Sequence, residues 1–561
     1  MVSSSRTITA FLLCCFLAVV VALEDKRKLV ALAAIPFPGH AKPLHRIGQE
    51  LALRGYDVKM FMMKRAGYTK AFEKDPLVEF IPLGDYEKDV CDEETYAIFA
   101  QDLAFNEGPG NLTLGMMCMF GKSSTALKDG LTDYITNVQR PDILISDYAS
   151  FAATDIGNHL GIPTVVNLPG FQLRYDFFSV PIGTGMSRKQ TASLPYRFKL
   201  HLFEAVQRLA IGAPLGLTTF AHWNRLEMYE KAVVKQMGDP WNKNPFIVNN
   251  MVGLDYAQFT GSHHYLSGPI LSKPEAVSNV NIDRENCEDI RPWLNATERP
   301  IIYISFGTTG SFTKESMTAL LEGFKNLHED PRYSNYDMLW RIPYSQRPLI
   351  VPNNSNSNGS AQDLSLSFFP KYIHSVDWLC SQEEVLSHPN VKLFITHGGA
   401  NSPWESIREL VPMVVVPSFF DQNDMAIRIH DRELGVRIRH PLTCTKEEVL
   451  EALHEILDPT KYERVLKNLR MVRALLRNLV GDDFSDGAKN AANYVESLLS
   501  LNGDFSHLLP IQTELAWWQV QQWDLIGIYV AIASLTTASI GYLIGARSKR
   551  SKVIADGKKD Q

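Results

Sequence analysis

Short apolar runs alternate with stretches of helical periodicity along the first part of the chain. The run KLVALAAI at 28–35 is followed by PLHRIGQELALRG at 43–55, where apolar residues recur at helical spacing. Further apolar runs are DVKMFMM at 57–63, DILISD at 142–147 and IPTVVNL at 162–168. Continuous apolar strands separated by helices are typical of parallel sheets that helices cover on both faces. The pattern therefore predicts an α/β domain.

The same alternation restarts at IIYISFG (301–307) and continues through VKLFITHGG (391–399) and PMVVVP (412–417), which predicts a second α/β domain. Residues 104–125 and 171–265 do not follow the alternation, and we expect helical or loop insertions there. The predicted boundaries are 24–267 for the first domain, 268–294 for a polar linker that contains prolines, and 295–500 for the second domain.

Both ends of the chain are predicted to lie outside these domains. Arg6 precedes the apolar run ITAFLLCCFLAVVVA, and Val20-Val21-Ala22 resembles a small-residue cleavage site. Residues 1–23 are therefore predicted to be a secretory signal peptide, with an N-terminal anchor as the alternative.

An uncharged segment at 525–546 is predicted to cross a membrane, because its 22 residues span about 33 Å as a helix. Tryptophans precede it and basic residues follow it, so the positive-inside rule places the tail, 547–561, in the cytosol and the body in the lumen. Residues 501–524 are the predicted membrane-proximal segment. The flanking residues are Trp517, Trp518, Trp523, Arg547, Lys549, Arg550 and Lys552.

Several features fit a lumenal body. The final residues, KKDQ, resemble the dilysine retrieval signal of endoplasmic-reticulum membrane proteins. Only five of the seven cysteines follow the signal peptide, so at least one should remain unpaired, and none has metal-ligand spacing. The predicted glycosylation sites are the sequons at Asn111, Asn295, Asn353 and Asn358.

Composition narrows the class of protein. The 561 residues carry a net charge of −6, with 45% apolar and 21% charged residues. These are ordinary globular values for a chain of two or three domains. They speak against a nucleic-acid partner, because no basic stripe interleaved with aromatic residues is present.

The stretch FITHGGANSPWE, 394–405, carries the first candidate chemistry. A strand is followed by a glycine-rich turn and then by a helix start, with Ser402 predicted as N-cap, Pro403 as the first helical residue and Glu405 in a capping box. Free backbone N–H groups and the helix dipole converge at such a turn and predict an anion site.

The longer stretch DWLCSQEEVLSHPNVKLFITHGGANSPWESIRELVPMVVVPSFFDQND, 377–424, resembles the signature of the UDP-glycosyltransferases. The membrane end, ELAWWQVQQWDLIGIYV, is similar to the membrane-anchored UDP-glucuronosyltransferase branch, and the resemblance extends over residues 29–552. It implies the α/β GT-B fold, two facing Rossmann-like domains, with an acceptor in the first and a UDP-sugar in the second. The UDP-sugar residues it implies are Ser305, Gly307, Thr308, Trp378, His397, Gly398, Gly399, Asn401, Ser402, Glu405, Asp421 and Gln422.

Each of these residues also has a structural interpretation. Trp378 stacks on uracil or is a core residue, and His397 binds phosphate or shapes a turn. Glu405 bonds ribose hydroxyls or caps the helix, and Asp421-Gln422 bond the sugar or form a surface turn. The sequence departs from the family pattern at Leu379-Cys380-Ser381, where a proline and a glutamine are usual, which leaves the uracil contact open.

The first domain supplies a candidate base. His40 follows the first strand and Asp147 ends a later one, so both lie at the carboxyl edge of a parallel sheet, where ligands bind. A carboxylate on one imidazole nitrogen fixes the tautomer of a histidine base. The catalytic histidine and aspartate of the family match these two residues, whereas His45 is expected to serve in packing or at the surface.

The predicted reaction is transfer of a glucuronosyl or glucosyl group to a hydroxyl of a lipophilic small molecule, with inversion at the anomeric carbon. No Asp-x-Asp pair is present, so no metal and no cofactor are predicted, and the UDP-sugar is a co-substrate. The predicted partners are the donor, the acceptor and the endoplasmic-reticulum membrane, with homo-oligomerisation left open. The alternatives are a transferase acting on a membrane sterol or sphingolipid, and an inactive lumenal lipid-binding relative.

Overall fold

Seven parallel strands form the first sheet, in the order β3-β2-β1-β4-β5-β6-β7. The strands are β1 (Leu29–Ala33), β2 (Asp57–Lys64), β3 (Glu79–Asp85), β4 (Ile143–Asp147), β5 (Thr164–Leu168), β6 (Phe246–Val248) and β7 (His264–Leu266). The structure is a computed structural model that describes residues 27–65, 68–86, 126–170, 187, 190, 193, 195, 244–251, 253–257, 263–272, 288–307, 310, 312–343, 346, 349–350, 369–418, 421–438, 444–509, 517–520 and 522–556.

Helices cover both faces of this sheet, as the continuous apolar strands predict. The helices are α1 (Pro38–Leu53), α2 (Lys70–Glu73) and α3 (Phe151–His159), and residues 126–137 are also helical. Leu44 and Ile47 of α1 pack in the core on one face. Leu131 of the helical residues 126–137 and Ile156 of α3 pack in a separate core on the other face.

Six parallel strands form the second sheet, in the order β10-β9-β8-β11-β12-β13. The strands are β8 (Ile301–Ser305), β9 (Asp337–Arg341), β10 (Ile373–Val376), β11 (Val391–Thr396), β12 (Met413–Val415) and β13 (Gly435–Arg437). The helices that follow are α4 (Arg291–Ala296), α5 (Lys314–Glu329), α6 (Gln382–Ser387), α7 (Ser402–Glu409), α8 (Asp421–Asp431), α9 (Lys446–Leu457) and α10 (Pro459–Val480). The two-domain α/β prediction is confirmed, but the prediction of helical or loop insertions over 171–265 was wrong at β6 and β7, whose three-residue strands are too short to show the alternation in the sequence.

Each sheet has a point at which the strand order reverses. In the first sheet it lies between β1 and β4, and in the second between β8 and β11. The loops after these strands diverge to opposite faces and leave a crevice at the carboxyl edge, where open α/β sheets bind ligands. His40 and Asp147 lie at the first reversal, and Ser305 and His397 lie at the second.

The helix after α10 returns to the first domain. This helix, α11 (Asp486–Ser500), lies in the range predicted for the second domain, yet Ala491, Val495 and Leu498 pack in the core beside α1. Arg54, which caps the C-terminus of α1, lies 2.7 Å from Glu496. The chain therefore links the two domains a second time through α11, in addition to the linker.

Two helices close the chain: α12 (Trp517–Val520) and α13 (Trp523–Asp556). Within the described residues, one helical segment, Trp523–Arg547, is long and apolar enough to cross a membrane, and none of it is buried. This agrees with the apolar helix predicted at 525–546. The predicted signal peptide, the residues at 104–125, Thr308 and the sequons at Asn111, Asn353 and Asn358 lie outside the described residues. Asn295 is exposed on α4.

Candidate active site

The structure brings His40 and Asp147 together at the carboxyl edge of the first sheet. His40 lies in the first turn of α1, and its Nδ1 is 2.9 Å from Oδ1 and 3.1 Å from Oδ2 of Asp147. The Asp147 side chain is fully buried and also accepts a hydrogen bond from the N–H of Ala149 at 3.0 Å. Because Nδ1 faces a carboxylate, it carries the proton, and Nε2 is the nitrogen that can accept one.

Charges from both domains act on His40. Burial alone would lower its pKa, but the charge and hydrogen bond of Asp147, with a further contribution from the charge of Asp421, raise the pKa above its usual 6.5. Asp421 belongs to α8 of the second domain, so part of the charge that acts on His40 comes from the opposite side of the crevice. By contrast, Nε2 of His45 lies 2.8 Å from Asp75, and the ring packs edge-on against Phe72.

His397 lies directly after β11, and neighbouring residues pack closely around its imidazole. It is 5% exposed, and its Nδ1 has no hydrogen-bond partner within the described part of the chain. A Cβ added at Gly307 would lie 2.4 Å from its Cε1, and one added at Gly399 would lie 2.6 Å from its Nε2. The two glycines therefore leave the space that the imidazole occupies in this arrangement. Gly398, with φ of +82°, makes the left-handed turn that follows.

Burial and the nearby charge of Arg341 lower the pKa of His397 to about 3. The imidazole is therefore neutral at physiological pH. A neutral imidazole can bind a phosphate oxygen by donating a hydrogen bond, and it adds no net charge.

The start of α7 differs from the predicted capping box. Asn401, not Ser402, is the N-cap, and its side chain makes no capping hydrogen bond. Pro403 is the second helical residue instead of the predicted first, and it still lies in the first turn. The Glu405 carboxylate does not serve as a cap, because its Oε2 accepts a hydrogen bond of 2.6 Å from Nε2 of Gln382. The capping-box prediction was wrong because a side chain from α6 competes for this carboxylate.

Gln382 was not predicted as a site residue. Its Nε2 also donates to Oγ of Ser402 at 3.0 Å, and its Oε1 accepts from the Tyr303 hydroxyl at 3.2 Å. Burial and the charge of Glu383 raise the pKa of Glu405. Gln382 thus joins the turn after β11 to the loop after β10, where the sequence departs from the family pattern.

That loop also holds Trp378, which is partly exposed and is not a core residue. The Arg341 guanidinium lies 3.5 Å from the centroid of the indole ring and donates to the carbonyl of Gly307. Cys380 is disulfide-bonded. Ser381 caps α6 by accepting a hydrogen bond from the N–H of Glu384 at 3.1 Å.

The pair Asp421-Gln422 begins α8 instead of forming a surface turn. Burial raises the pKa of Asp421 to about 6 although the charge of His40 opposes the shift. Gln422 is buried, and its Oε1 accepts hydrogen bonds from the N–H and the hydroxyl of Ser418 at 2.8 and 2.7 Å. Its carboxamide thereby links the first turn of α8 to Ser418.

Two remaining predictions concern cysteines and metals. Cys444 is a free, buried thiol, so at least one cysteine is unpaired, as expected. No group of three or more histidine, cysteine or carboxylate side chains within the described ranges is arranged to hold a metal ion.

Comparison with known proteins places the chain. A model of the family described as UDP-glucoronosyl and UDP-glucosyl transferase matches residues 262–558. UDP-glucuronosyltransferase 1A3 of Homo sapiens is 33% identical over 406 residues, which are 72% of this chain and 68% of that protein. UDP-glucuronosyltransferase 3A2 of Mus musculus is 22% identical over 532 residues, which are 92% of each chain.

Solved structures share the fold. The structure of UDP-glucose: anthocyanidin 3-O-glucosyltransferase in complex with UDP superposes with a TM-score of 0.57 at 16% sequence identity. The alignment covers 85% of this chain and 100% of that chain. Os79 from O. sativa in complex with UDP has a TM-score of 0.57 at 16% identity and covers 84% of this chain and 100% of its own. The family match and the shared fold together define a GT-B glycosyltransferase that uses UDP-sugars. The chain belongs to the UDP-glucuronosyl and UDP-glucosyl transferase family, in its UDP-glucuronosyltransferase branch.

Proposed function

We propose that this enzyme transfers a glucuronosyl or glucosyl group from a UDP-sugar to a hydroxyl of a lipophilic small molecule, with inversion at the anomeric carbon. The observation that carries the proposal is the His40–Asp147 pair, whose charge coupling reaches Asp421 across the crevice. A base and a sugar-binding carboxylate then face each other where an acceptor and a donor sugar would meet. The names of the relatives favour glucuronate.

The donor site follows from the second domain. His397 and the N–H groups from Gly398 to Ser402 bind the diphosphate, with Ser305, Gly307 and Thr308 approaching from β8. Glu405 binds the ribose hydroxyls, and Gln382 orients its carboxylate. Uracil stacks on the face of Trp378 opposite Arg341, while Asp421 and Gln422 bond the hydroxyls of the sugar.

The reaction is one displacement. His40 Nε2 takes the proton of the acceptor hydroxyl as the oxygen forms a bond to the anomeric carbon, and the bond from that carbon to the UDP oxygen breaks. Asp147 stabilises the resulting imidazolium. Charge that develops on the departing UDP is met by the His397 N–H and by the amino end of α7.

We place the enzyme in the endoplasmic-reticulum membrane as a single-pass type I protein with a lumenal body. The uncharged helix at 523–547 and the basic residues after it support this orientation. A tether to the bilayer also keeps the active site close to lipophilic acceptors that partition into it.

Turnover in sealed microsomes tests the proposal, with labelled UDP-glucuronate and UDP-glucose compared side by side over a panel of phenols, steroids and membrane lipids. We expect transfer from one donor to a small lipophilic alcohol, and higher activity after the membrane is permeabilised. Transfer only to a sterol or sphingolipid would establish a lipid transferase. Donor binding without transfer or hydrolysis would establish a binding protein.

A further inference from the structure

The helix α8 begins with a candidate sugar-binding residue and is held farther along by the opposite domain. Asp421 is its first residue, and Arg428 follows seven residues later. Because a helix rises about 1.5 Å per residue, the two positions are about 10 Å apart on one rigid element. A displacement at Arg428 would therefore move Asp421.

Arg428 pairs with Asp255, a residue of the first domain that follows β6. Arg428 Nε donates to Asp255 Oδ1 at 2.8 Å, and the two side chains are only 5% and 4% exposed. The guanidinium lies 4.6 Å from the ring centroid of Tyr256, and the Tyr256 hydroxyl donates to Asp431 Oδ2 at 2.7 Å. We call these four residues the α8 clamp.

The clamp is built to resist solvent. Salt screens a buried ion pair much less than an exposed one, and loss of one partner of a buried pair leaves an uncompensated charge. The contacts come from two successive residues of the first domain and from two helical residues of α8 that lie nearly one turn apart. Such an arrangement fixes both the position and the rotation of the helix.

The helix that carries His40 is also tied across the domains. Arg46 of α1 donates to the carbonyl of Ile270 at 3.0 Å and to the hydroxyl of Ser272, while Arg408 of α7 donates to the carbonyl of Ser272 at 3.0 Å. Residues 270–272 therefore hydrogen-bond to both α1 and α7. With α1 held there, the placement of α8 decides how Asp421 faces His40.

We propose that the α8 clamp is a positioning device, in which Asp255 and Tyr256 of the first domain set Asp421 opposite His40 and thereby align donor sugar with base. This inference rests on the proposed function for its catalytic consequence. A misplacement of reacting groups by about 1 Å can cost on the order of 100-fold in rate. The UDP-binding residues lie within the second domain, so UDP affinity does not depend on the clamp.

Asp255→Asn in the full-length membrane enzyme tests the clamp, with Arg299→Met as the matched control. Arg299 pairs with Asp337 at 3.0 Å at the amino end of β9, on the edge of the sheet opposite the crevice. For Asp255→Asn we expect kcat to fall by about 10- to 100-fold with UDP affinity unchanged.

Tyr256→Phe removes only the hydrogen bond from the Tyr256 hydroxyl to Asp431. It keeps the proposal testable if Asp255→Asn does not fold. It should give a smaller loss of kcat with the same unchanged UDP affinity. The proposal is overturned if kcat is retained, or if kcat, UDP affinity and melting temperature fall together as they would for a purely structural pair.

Hydrogen exchange separates the clamp from the proposed function, since it needs no turnover. Backbone amides of α8 should exchange faster in Asp255→Asn than in the wild type or in Arg299→Met. If they do so in a protein that transfers no sugar, the clamp stands and the proposed function fails. If exchange in α8 is unchanged, the clamp is refuted whatever the activity.

Discussion

Each sheet places a histidine beyond the carboxyl end of a strand at its reversal point, and the two domains treat the imidazole in opposite ways. His40 has a buried carboxylate at 2.9 Å, and its pKa is raised. His397 is enclosed by two glycines beside Arg341, and its pKa is lowered to about 3. The same side chain at corresponding points of similar sheets is thus suited to carry a proton in one domain and to remain neutral in the other.

The two halves also differ in how their residues are distributed along the chain. The candidate donor-binding residues from Trp378 to Gln422 fall within one continuous stretch of sequence, and most of them lie in turns or at the starts of helices. In the first domain, His40 and Asp147 are 107 residues apart and meet only because β1 and β4 are neighbours. Backbone groups of one continuous stretch can bind a nucleotide. A histidine base needs only one carboxylate beside it, and that carboxylate can come from a distant part of the chain.

The largest effect should come from removal of the first histidine. His40→Ala should lower kcat by on the order of 100-fold or more, because it removes the proposed general base. UDP affinity should be unchanged, since the donor residues lie in the other domain. Steady-state kinetics and UDP titration on the same preparation measure both quantities.

His45→Ala is the control for this prediction, because His45 lies on the same helix and pairs with Asp75 at 2.8 Å, away from Asp147. It should alter melting temperature more than turnover. Near-normal turnover in His40→Ala, or a larger loss in His45→Ala, would remove His40 from the role of base.

The sequence predicted the features that depend on local pattern and on strand order. Apolar strands separated by helices define both sheets, and position at the end of a strand was enough to place His40 and Asp147 at one edge. The resemblance to the family accounts for the donor residues, which pattern alone would not have selected.

Contacts between elements could not be predicted in this way. Gln382, the first residue of α6, donates to Ser402 and Glu405, which lie 20 and 23 residues farther along the chain, and it directly follows the loop whose sequence departs from the family pattern. Arg341 ends β9 and lies over Trp378 only because β9 and β10 are adjacent. The capping box failed for the same reason, since a local motif says nothing about a competing partner from another helix.

A smaller effect is expected at Glu405, where the donor half can be tested without the acceptor half. Glu405→Gln keeps the length of the side chain but removes the charge that strengthens a bond to a ribose hydroxyl. UDP affinity should fall about 10- to 100-fold, roughly 1–3 kcal/mol. Melting temperature should change little, because the carboxylate bonds Gln382 and does not cap α7.

Glu409→Gln is the matched control, as it makes the same substitution on the same helix next to Arg408. Titration calorimetry and thermal melting of both variants decide the issue. A fall in melting temperature for Glu405→Gln with full UDP affinity would show that Glu405 supports the fold and not the ribose.

The smallest effect is a shift in pH dependence, and it addresses the contrast between the two histidines directly. A base acts only in its deprotonated form, so a raised pKa of His40 predicts that kcat/KM declines on the acid side with a midpoint above 6.5. Asp147→Asn removes the charge that raises this pKa and should move the midpoint to lower pH as well as reduce the rate. His397→Gln should weaken donor binding and leave the midpoint in place, because an imidazole with a pKa of about 3 does not titrate in this range. A midpoint that followed the substitution at His397 and ignored the one at Asp147 would exchange the roles of the two histidines, and the proton would then have to be taken from the donor side of the crevice.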